Sequence, residues 1–565
     1  MCGRRNRPLK IIILFVVLLF HPSISFSIVQ INLSNSLVSA TRLISQIYTI
    51  CDPINVTNDD ELAAVASSGT GTANDPYIIA NWNITGSSTD GIFITGTTKY
   101  IRINNCWIVN STNYGINVDN ITIGTAIITN NTCNSNRYGI YLEDSGSSNI
   151  TNNTCNSNRY NGIYLRYSTN TIIANNTCNS NRYGIYLEDS GSSNITNNTC
   201  NSNDRTGTYL YSSGSSTITN NTCNSNDRTG IYLEYSYSST IVDNVCNNNN
   251  EHGIFIYENS YSTIASNTCN NNSRTGIYTW DSLSLVITNN TCNNNSNDGI
   301  FIYECNFSTI DNNICSSNDG TGIYLYIIFL SSSGSSTITN NTCNSNDYYG
   351  IYIDSPGSST ITNNTCNNNS GTGIYLEDSS SSTVAKNTCN NNIEYGIYFY
   401  SSSSLIVTNN TCNSNIEYGI YFYSSSSLIV TNNTCNSNYE YGIYLYRSGF
   451  STITNNTCYS NDGTGIYLFR SDYSTAANNT CNNNVEYGIF LYHSGSSIVV
   501  NNTCNDNGED GITFWDPDTT TIATSEPTTS GTETSSSNSF LYRIGLFLFI
   551  LGLLVALILV NRRKK

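Results

Sequence analysis

One cysteine-marked unit, repeated along most of the chain, constrains the fold more than any other feature. Residues 218–233, ITNNTCNSNDRTGIYL, show the unit most clearly. Its cysteines follow one another at steps of 22 or 23 residues, except for one step of 28. They are Cys133, Cys155, Cys178, Cys200, Cys223, Cys246, Cys269, Cys292, Cys315, Cys343, Cys366, Cys389, Cys412, Cys435, Cys458, Cys481 and Cys504. A fixed period in this range is typical of a solenoid, in which each repeat stacks on the next.

The pattern within one unit favours short strands over helices. In GIYL the apolar Ile231 and Leu233 alternate with Tyr232, as in a strand that buries one face. The unit lacks the recurring leucines of a leucine-rich repeat and the periodicity of a helical repeat. We expect two more strands, centred on Ile218 and Cys223, with Asn and Gly at the sharp corners between them. Each repeat then forms one three-sided turn.

Stacking of such turns brings like residues above like residues. Parallel strands lie about 4.8 Å apart, so roughly seventeen turns predict a rod on the order of 80 Å long. Buried Asn side chains in successive turns can then hydrogen-bond along the axis as a ladder. The predicted fold class is all-β, a parallel β-helix solenoid with turns of 22 or 23 residues.

The two ends of the chain predict a membrane-anchored surface protein. Residues 1–27, basic and then apolar, have the pattern of a signal peptide, with an uncleaved N-terminal anchor as the alternative. Residues 540–560 predict a transmembrane helix, and the basic residues 561–565 a cytoplasmic tail. Between them we expect an N-terminal cap region at 28–75, β-helix repeats at 76–517 and a Ser/Thr-rich stalk at 518–539. The predicted location is the cell membrane, with a single span and the β-helix outside the cell.

Composition argues against nucleic acid as a partner. Charged residues make up 11% of the chain and the formal net charge is -17. Nucleic-acid binding needs Lys and Arg to displace counterions from phosphates, so an acidic, Asn-rich and Ser-rich surface suits carbohydrate or surface proteins better.

The NNTCNSN and GIYL segments, with the entry segment GTGTANDPYII at residues 69–79, resemble a known repeat family. They are similar to the NosD-like, carbohydrate-binding and sugar-hydrolase (CASH) group of the pectin-lyase-like superfamily. The resemblance implies a right-handed parallel β-helix over about four fifths of the chain. That family includes lyases, hydrolases, epimerases, copper-accessory proteins and surface adhesins, so the resemblance leaves the activity open.

The cysteine column allows three interpretations. The alternation of the strands points Cys223 and its equivalents inward as buried free thiols, while disulfides or a soft-metal column are the alternatives. A bond between Cys51 and Cys106 near the cap is a further alternative. Copper delivery is not expected, because Met1 is the only methionine and the only histidines are His21, His252 and His493. We therefore expect neither a metal nor another cofactor.

A stripe of outward aromatic residues is the main candidate binding feature. Stacked rings with phenolic hydroxyls suit sugar rings or a protein partner, although they also stabilise neighbouring parallel strands. The candidate carbohydrate-binding or partner-binding residues are Tyr141, Tyr164, Tyr186, Tyr209, Tyr232, Tyr278, Tyr398, Tyr421 and Tyr444.

N-x-T triplets supply candidate glycosylation sites. The first Asn of each triplet falls at a corner, where we expect it to be exposed, and the second enters the ladder. The alternative is that an Asn-rich ladder creates these triplets by accident. The candidate acceptors are Asn152, Asn197, Asn220, Asn289, Asn340, Asn363, Asn409, Asn432, Asn455, Asn478 and Asn501.

Catalytic residues do not emerge from the repeat. Sugar-cleaving enzymes need two convergent carboxylates, and the nearest candidates, Glu143 and Glu188, have Arg166 between them. We interpret this trio as a surface ion ladder. The sequence therefore predicts a non-catalytic surface protein for adhesion, envelope structure or carbohydrate binding, in which rods can associate sideways. The alternative is a polysaccharide lyase or hydrolase.

Overall fold

The computed structural model describes residues 48–327, 335–355 and 357–515, together with the backbone of 522–523. The predicted signal peptide, membrane helix and basic tail lie outside the described residues. No helix among the described residues is long and apolar enough to cross a membrane.

The described chain coils into a parallel β-solenoid with two long sheets. The first contains the GIYL strands and is called the tyrosine sheet. Each of its strands pairs in parallel with the equivalent strand of the next turn, as when Tyr209 aligns with Tyr232. Within the described residues it has twenty strands. They are β2 Ile54–Val56, β5 Ile92–Thr95, β8 Tyr114–Asp119, β11 Tyr138–Glu143, β13 Asn161–Arg166, β15 Tyr183–Glu188, β17 Thr206–Tyr211, β19 Ile231–Glu234, β21 Ile254–Tyr257, β23 Ile277–Trp280, β25 Ile300–Tyr303, β27 Ile323–Tyr326, β29 Ile351–Asp354, β31 Ile374–Glu377, β33 Ile397–Tyr400, β35 Ile420–Tyr423, β37 Ile443–Tyr446, β39 Ile466–Phe469, β41 Ile489–Tyr492 and β43 Ile512–Trp515.

The second long sheet contains the segments that precede the paired asparagines and is called the threonine sheet. Its strands are also parallel and in register, with Ile218 opposite Ile241. They are β3 Tyr77–Ala80, β6 Ile101–Asn104, β9 Ala126–Thr129, β12 Asn149–Thr151, β14 Ile172–Ala174, β16 Asn194–Thr196, β18 Thr217–Thr219, β20 Thr240–Val242, β22 Thr263–Ala265, β24 Val286–Thr288, β26 Thr309–Asp311, β28 Thr337–Thr339, β30 Thr360–Thr362, β32 Thr383–Ala385, β34 Ile406–Thr408, β36 Ile429–Thr431, β38 Thr452–Thr454, β40 Thr475–Ala477, β42 Ile498–Val500 and β44 Ile522–Ala523. The last strand falls within the segment predicted as a stalk.

The third side, called the cysteine side, differs from the prediction of a strand centred on Cys223. Its strands are confined to the first turns and are β1 Thr49–Ile50, β4 Trp82–Thr85, β7 Trp107–Val109 and β10 Thr132–Asn134. In later turns it is reduced to single bridges such as Thr222 to Val245. The reason is that the flanking amides of Asn221 and Asn224 donate to Asn side chains of neighbouring turns, at 2.9 and 2.7 Å. Side chains therefore take the flanking donors on this side, while the Thr222 and Cys223 amides still donate to the Asn198 and Val245 carbonyls, both at 2.8 Å.

The interior combines an apolar core with polar ladders at the corners. Ile218, Cys223, Ile231 and Leu233 are fully buried, as their equivalents are in other turns. Asn221 belongs to one Asn ladder: its side-chain amide donates to the Ile195 carbonyl at 2.8 Å. A second Asn ladder and a Ser ladder occupy the other corners, represented by Asn226 and Ser213. Every polar corner is thus tied to the next turn, which fixes the stacking register.

Left-handed backbone makes the corners sharp enough to close each turn. Asn220 and Ser225 have φ of 55° and 54°, on either side of the cysteine side. Asn and Ser tolerate this conformation better than most residues because their short polar side chains hydrogen-bond locally. Gly230 is required for a different reason, since a Cβ there would lie 2.6 Å from the Gly253 carbonyl oxygen. Its lack of a side chain permits the close approach of successive turns.

Stacking begins before residue 76 and is capped by a short helix. β2 already pairs with β5 in the register of the tyrosine sheet. The helix α1, Asp59–Val65, follows it, with Asn58 as its N-cap accepting from the Glu61 amide at 2.9 Å. Glu61 accepts in return from the Thr57 amide at 2.7 Å, and Leu62 buries its side chain completely. This reciprocal capping holds the helix over the first turn.

Candidate functional site: the tyrosine face

The outward side of the tyrosine sheet, called the tyrosine face, carries the predicted aromatic stripe. Strand alternation buries Ile231 and Leu233 and turns Tyr232 outward. Because all turns share one register, the equivalent rings form a continuous column along the rod. Of the nine predicted residues, Tyr141 is buried at 6% exposure and the other eight are half-buried.

The rings of this column cover one another's faces. Centroids of Tyr209 and Tyr232 lie 4.8 Å apart with planes inclined by 7°, and those of Tyr398 and Tyr421 lie 5.0 Å apart at 10°. Such parallel stacks stabilise the face beyond simple burial. The part of each ring that meets solvent is therefore its edge and its hydroxyl, rather than its face.

A second column of rings, which sequence reasoning missed, runs beside the first. It lies two residues further along each strand and comes in two blocks. Neighbouring members contact each other, as in Tyr257 and Trp280 at 5.5 Å and Phe469 and Tyr492 at 5.1 Å. Reading alternate residues after Tyr in GIYL would have revealed it. Its members are Tyr257, Trp280, Tyr303, Tyr326, Tyr400, Tyr423, Tyr446, Phe469, Tyr492 and Trp515.

Carboxylates accept hydrogen bonds from the stripe hydroxyls. The Tyr352 hydroxyl donates to Glu377 at 2.6 Å, and Tyr164 donates in the same way to Glu188. Burial and the adjacent Glu188 hold the pKa of Tyr164 well above its ordinary value. The phenols therefore stay neutral, and the face presents hydroxyl and carboxylate groups to solvent.

The trio of Glu143, Arg166 and Glu188 forms one ion-paired cluster. Arg166 lies 3.1 Å from Glu143 and 3.9 Å from Glu188, and its guanidinium is 4.8 Å from the Tyr167 ring centroid. All three side chains are partly exposed. The positive charge of Arg166 is therefore already paired with two carboxylates of the same rod.

The repeating cysteines lie inside the rod as free thiols. All of them are buried except Cys504, which is half-buried. Burial raises the pKa of Cys246 well above that of an ordinary thiol, so the protonated form is favoured. Cys51 and Cys106 are also free. Among the described residues no three His, Cys, Asp or Glu side chains converge as a metal site.

The candidate glycosylation acceptors lie at the corners between the threonine sheet and the cysteine side. All eleven are exposed and have positive φ, between 55° and 59°. In each triplet the second Asn, such as Asn221 beside Asn220, is buried in the ladder. The acceptors therefore lie on a corner away from the tyrosine face.

Comparison with known proteins identifies the fold. The family described as a right-handed β-helix region matches residues 64–222, 191–327, 325–457 and 394–526. Among solved structures, the chain is similar to the mannuronan C-5 epimerase AlgE6 A-module of Azotobacter vinelandii, with 12% identity, a TM-score of 0.34 and coverage of 77% of this chain and 98% of that one. It is also similar to the catalytic domain of a GH87 α-1,3-glucanase, with 14% identity, a TM-score of 0.34 and coverage of 54% and 61%. Bacteriophage CBA120 tailspike protein 3 shares 12% identity at a TM-score of 0.24, with coverage of 92% and 66%. No curated protein shows significant sequence similarity to the chain.

Proposed function

The chain belongs to the family of right-handed β-helix regions, and from this fold we propose that it is a non-catalytic rod of the cell surface that binds extracellular carbohydrate through its tyrosine face. The NosD-like resemblance, the signal peptide, the single membrane span and the glycosylated corners are parts of this proposal. The resemblance rests on the repeat segments and residues 69–79, the signal peptide and the membrane span on residues 1–27 and 540–565, and the glycosylation on the eleven exposed Asn corners.

The observation that carries the proposal is the continuity of the tyrosine face. Tyrosine hydroxyls recur along the face at the spacing of parallel strands, interrupted by Phe255, Phe301 and Phe490. In some turns a carboxylate accepts from them, as Glu377 does from Tyr352 and Tyr375. Sugar hydroxyls both donate and accept hydrogen bonds, so a linear polysaccharide can meet the same groups repeatedly along the rod. Each contact is weak, and many contacts on one chain give avidity.

The experiment is a screen of the full-length chain in detergent against glycan arrays and soluble polysaccharides. Every hit is assayed for new reducing ends and for unsaturated products. We expect binding without turnover. Turnover of any hit contradicts the non-catalytic proposal, and an absence of all binding contradicts the carbohydrate proposal.

Variants that remove hydroxyls but keep the rings test the face itself. We expect Tyr398→Phe, Tyr421→Phe and Tyr444→Phe together to weaken binding about ten-fold or more, since several hydrogen bonds of roughly 1 kcal/mol each are lost. Tyr459→Phe is the matched control, because Tyr459 is 45% exposed and lies on the cysteine side, away from the face. Equal loss in both variants contradicts the assignment.

The second candidate function, a polysaccharide lyase or hydrolase, rests on the ion-paired cluster of Arg166. Two features oppose it: Arg166 is already paired with Glu143 and Glu188, and the raised pKa of Tyr164 disfavours a phenolate base. If the screen reveals turnover, Glu188→Gln is the first variant to test. Loss of turnover with retained binding then supports the enzyme.

A further inference from the structure

The tyrosine face has a charged column along one side, called the leading edge, which lies two residues before the glycine of each strand. Backbone hydrogen bonds align it: the Arg228 amide donates to the Arg205 carbonyl at 2.9 Å, and the Glu417 amide donates to the Glu394 carbonyl at 3.0 Å. The column is mainly basic in its first half and acidic in its second. Its charged members are Arg137, Arg182, Arg205, Arg228, Glu251, Arg274, Glu394, Glu417, Glu440, Glu486 and Glu509.

The opposite side of the face, called the trailing edge, has the reverse order. It consists of the last residue of each tyrosine strand and the corner residue that follows. Its first two thirds are acidic apart from the neutralised Arg166, and its last third contains Arg447 and Arg470. The acidic members include Glu143, Asp144, Glu188, Asp189, Glu234, Glu258, Asp281, Glu304, Asp354, Glu377 and Asp378.

Residues of both edges contact aromatic side chains next to them. On the leading edge, Arg205 donates to the Tyr183 hydroxyl at 2.9 Å. On the trailing edge, the guanidiniums of Arg447 and Arg470 lie over the rings of Tyr446 and Phe469, at 5.2 and 5.3 Å from their centroids. The charges therefore border the aromatic columns on both sides.

Arginines of the leading edge are poorly compensated within one rod. Arg205, Arg228 and Arg274 have no carboxylate within ion-pair distance among the described residues. Glu394 and Glu417 occupy successive turns about 4.8 Å apart, and like charges at that separation repel. A partner with carboxylates opposite Arg228 and Arg274 would compensate those two charges.

We propose that the tyrosine face docks against the same face of a second copy, with the two rods side by side and parallel. A twofold axis along the rods places the leading edge of one copy against the trailing edge of the other at the same turn. Arg228 then faces Glu234, Arg274 faces Asp281, and Glu440 faces Arg447. The half-buried rings form the centre of the contact and the charges its rim, as in other protein interfaces. The interface is isologous, because each copy offers both edges.

Charge matching selects the parallel arrangement over the antiparallel one. In the antiparallel arrangement each edge meets itself. The basic half of the leading edge would then face its acidic half, but the acidic trailing-edge residues of the middle turns, such as Glu304 and Asp354, would oppose one another. In the parallel arrangement the same residues face Asn297 and Tyr348, which are uncharged. Glu251 opposite Glu258 is the one pair of like charges, and Arg205, Glu394 and Glu417 face uncharged residues. The complementary rim sets the register, while the aromatic centre supplies the apolar contact.

The experiment measures the mass of the full-length chain in detergent by sedimentation equilibrium, at about 50 and about 500 mM NaCl, where screening differs strongly. We expect a dimer whose dissociation constant rises about ten-fold or more in Arg228→Glu plus Arg274→Glu, and also in high salt. The control Arg102→Glu plus Lys386→Glu reverses two exposed charges away from the face, and we expect it to leave the dimer unchanged. Circular dichroism verifies that every variant is folded.

Exchanging charges between the leading and trailing edges distinguishes parallel from antiparallel rods. We expect chains carrying Arg228→Glu and Arg274→Glu to pair with chains carrying Glu234→Arg and Asp281→Arg, and the four changes in one chain to restore its own dimer. Rescue by Glu417→Arg instead would establish antiparallel rods and overturn the proposal. A monomer at all concentrations overturns it, as does a dimer insensitive to the edge charges.

The two proposals fail separately. Both proposals use the tyrosine face, so a glycan and a second copy compete for it, and the carbohydrate screen is run at concentrations where the chain is monomeric. A chain that binds glycan but stays monomeric at every concentration overturns only the pairing of rods. If the Arg228→Glu and Arg274→Glu chain loses binding to an acidic polysaccharide while the parent is monomeric, the leading edge is a glycan site and the pairing is overturned.

Discussion

Asn221 illustrates how one side chain connects three turns of the rod. Its amide group donates to the carbonyl of Ile195 in the turn before and to Asn244 in the turn after, at 2.8 and 3.0 Å. Its side-chain oxygen accepts from the Asn198 backbone amide at 2.9 Å. The same geometry recurs along the ladder, so the asparagines supplement the few backbone hydrogen bonds between turns on the cysteine side.

Asn221→Ala should therefore destabilise the rod strongly. The change leaves the buried Asn198 amide without its acceptor and removes the side-chain donor to the Ile195 carbonyl, at a cost of about 2 to 4 kcal/mol. A lowered midpoint in urea unfolding would reveal the loss. Asn220→Gly is the matched control, because Asn220 is exposed with φ of 55° and glycine accepts that backbone. Equal midpoints for the two variants would contradict the role of the ladder.

His252 makes the free energy of unfolding depend on pH. The ring is buried between Phe255 and Tyr278, its Nδ1 has no hydrogen-bond partner, and burial, assisted by Arg274, lowers its pKa to about 4. The pKa of an unfolded histidine is near 6.5, so the unfolded chain binds a proton at a higher pH than the folded chain. The contribution of neutral His252 to stability is therefore complete above about pH 6.5 and is lost as the pH falls toward 4.

At pH 4 we expect this residue to lower the free energy of unfolding by on the order of 3 kcal/mol, relative to pH 7. His252→Thr should abolish that decrease. Thr229 and Thr275 occupy the same position in the adjacent turns and are buried there, so threonine suits the site. Unfolding of parent and variant is compared from pH 7 to pH 4. Parallel stability curves would show that His252 does not titrate in this way.

Among the structural elements, the strands that follow simple alternation were predictable and the others were not. The alternation of Ile231, Tyr232 and Leu233 predicts the strand of the tyrosine sheet, and the structure confirms the parallel solenoid. The strand expected at Cys223 is reduced to a single bridge at Thr222, because Asn side chains take the flanking amides of Asn221 and Asn224. Stacking also begins earlier than the first repeated cysteine, since β2 and β5 lack that marker.

Removal of one whole turn should leave a folded rod. Deletion of residues 224–246 joins Cys223 to Asn247, which is equivalent to Asn224, so both new neighbours keep the register. We expect near-parental circular dichroism and glycan binding, since adjacent repeats contribute nearly equal interfaces. Deletion of residues 224–234 alone removes the tyrosine strand and should abolish cooperative unfolding. Tolerance of both deletions would contradict a register-dependent stack.

At the scale of the whole molecule, stability should vary along the rod because each turn contacts only its neighbours. The N-terminal end is covered by α1, whereas Trp515 in β43 is 63% exposed. We expect amide hydrogens of β41 and β43 to exchange faster than those of β21 and β23. Hydrogen exchange with mass spectrometry measures this order.

Leu62→Ala should extend the fast exchange to β2 and β5, because it removes the buried contact of the capping helix. The exchange of β21 and β23 should stay unchanged in that variant. Uniform protection from end to end, or uniform acceleration by Leu62→Ala, would show that the rod unfolds as one unit.

The candidate site was only partly predictable from the sequence. The Tyr column is visible in one repeat, whereas the two charged edges emerge only when residues some 23 positions apart are aligned across many turns. The depth of the rings was also hidden, because Tyr232 and its equivalents shield one another only once they are stacked. A single repeat therefore shows which residues face outward, whereas the aromatic columns and charged edges become visible only when the turns are stacked.

Residues 393–415 and 416–438 are identical in sequence, and each forms one turn. Every turn offers its neighbours the same upper and lower surfaces, so a gene that gains or loses one such repeat by recombination still encodes matched neighbours. Evolution can thus lengthen or shorten the reach of this protein in increments of one strand spacing, without passing through a product that fails to fold.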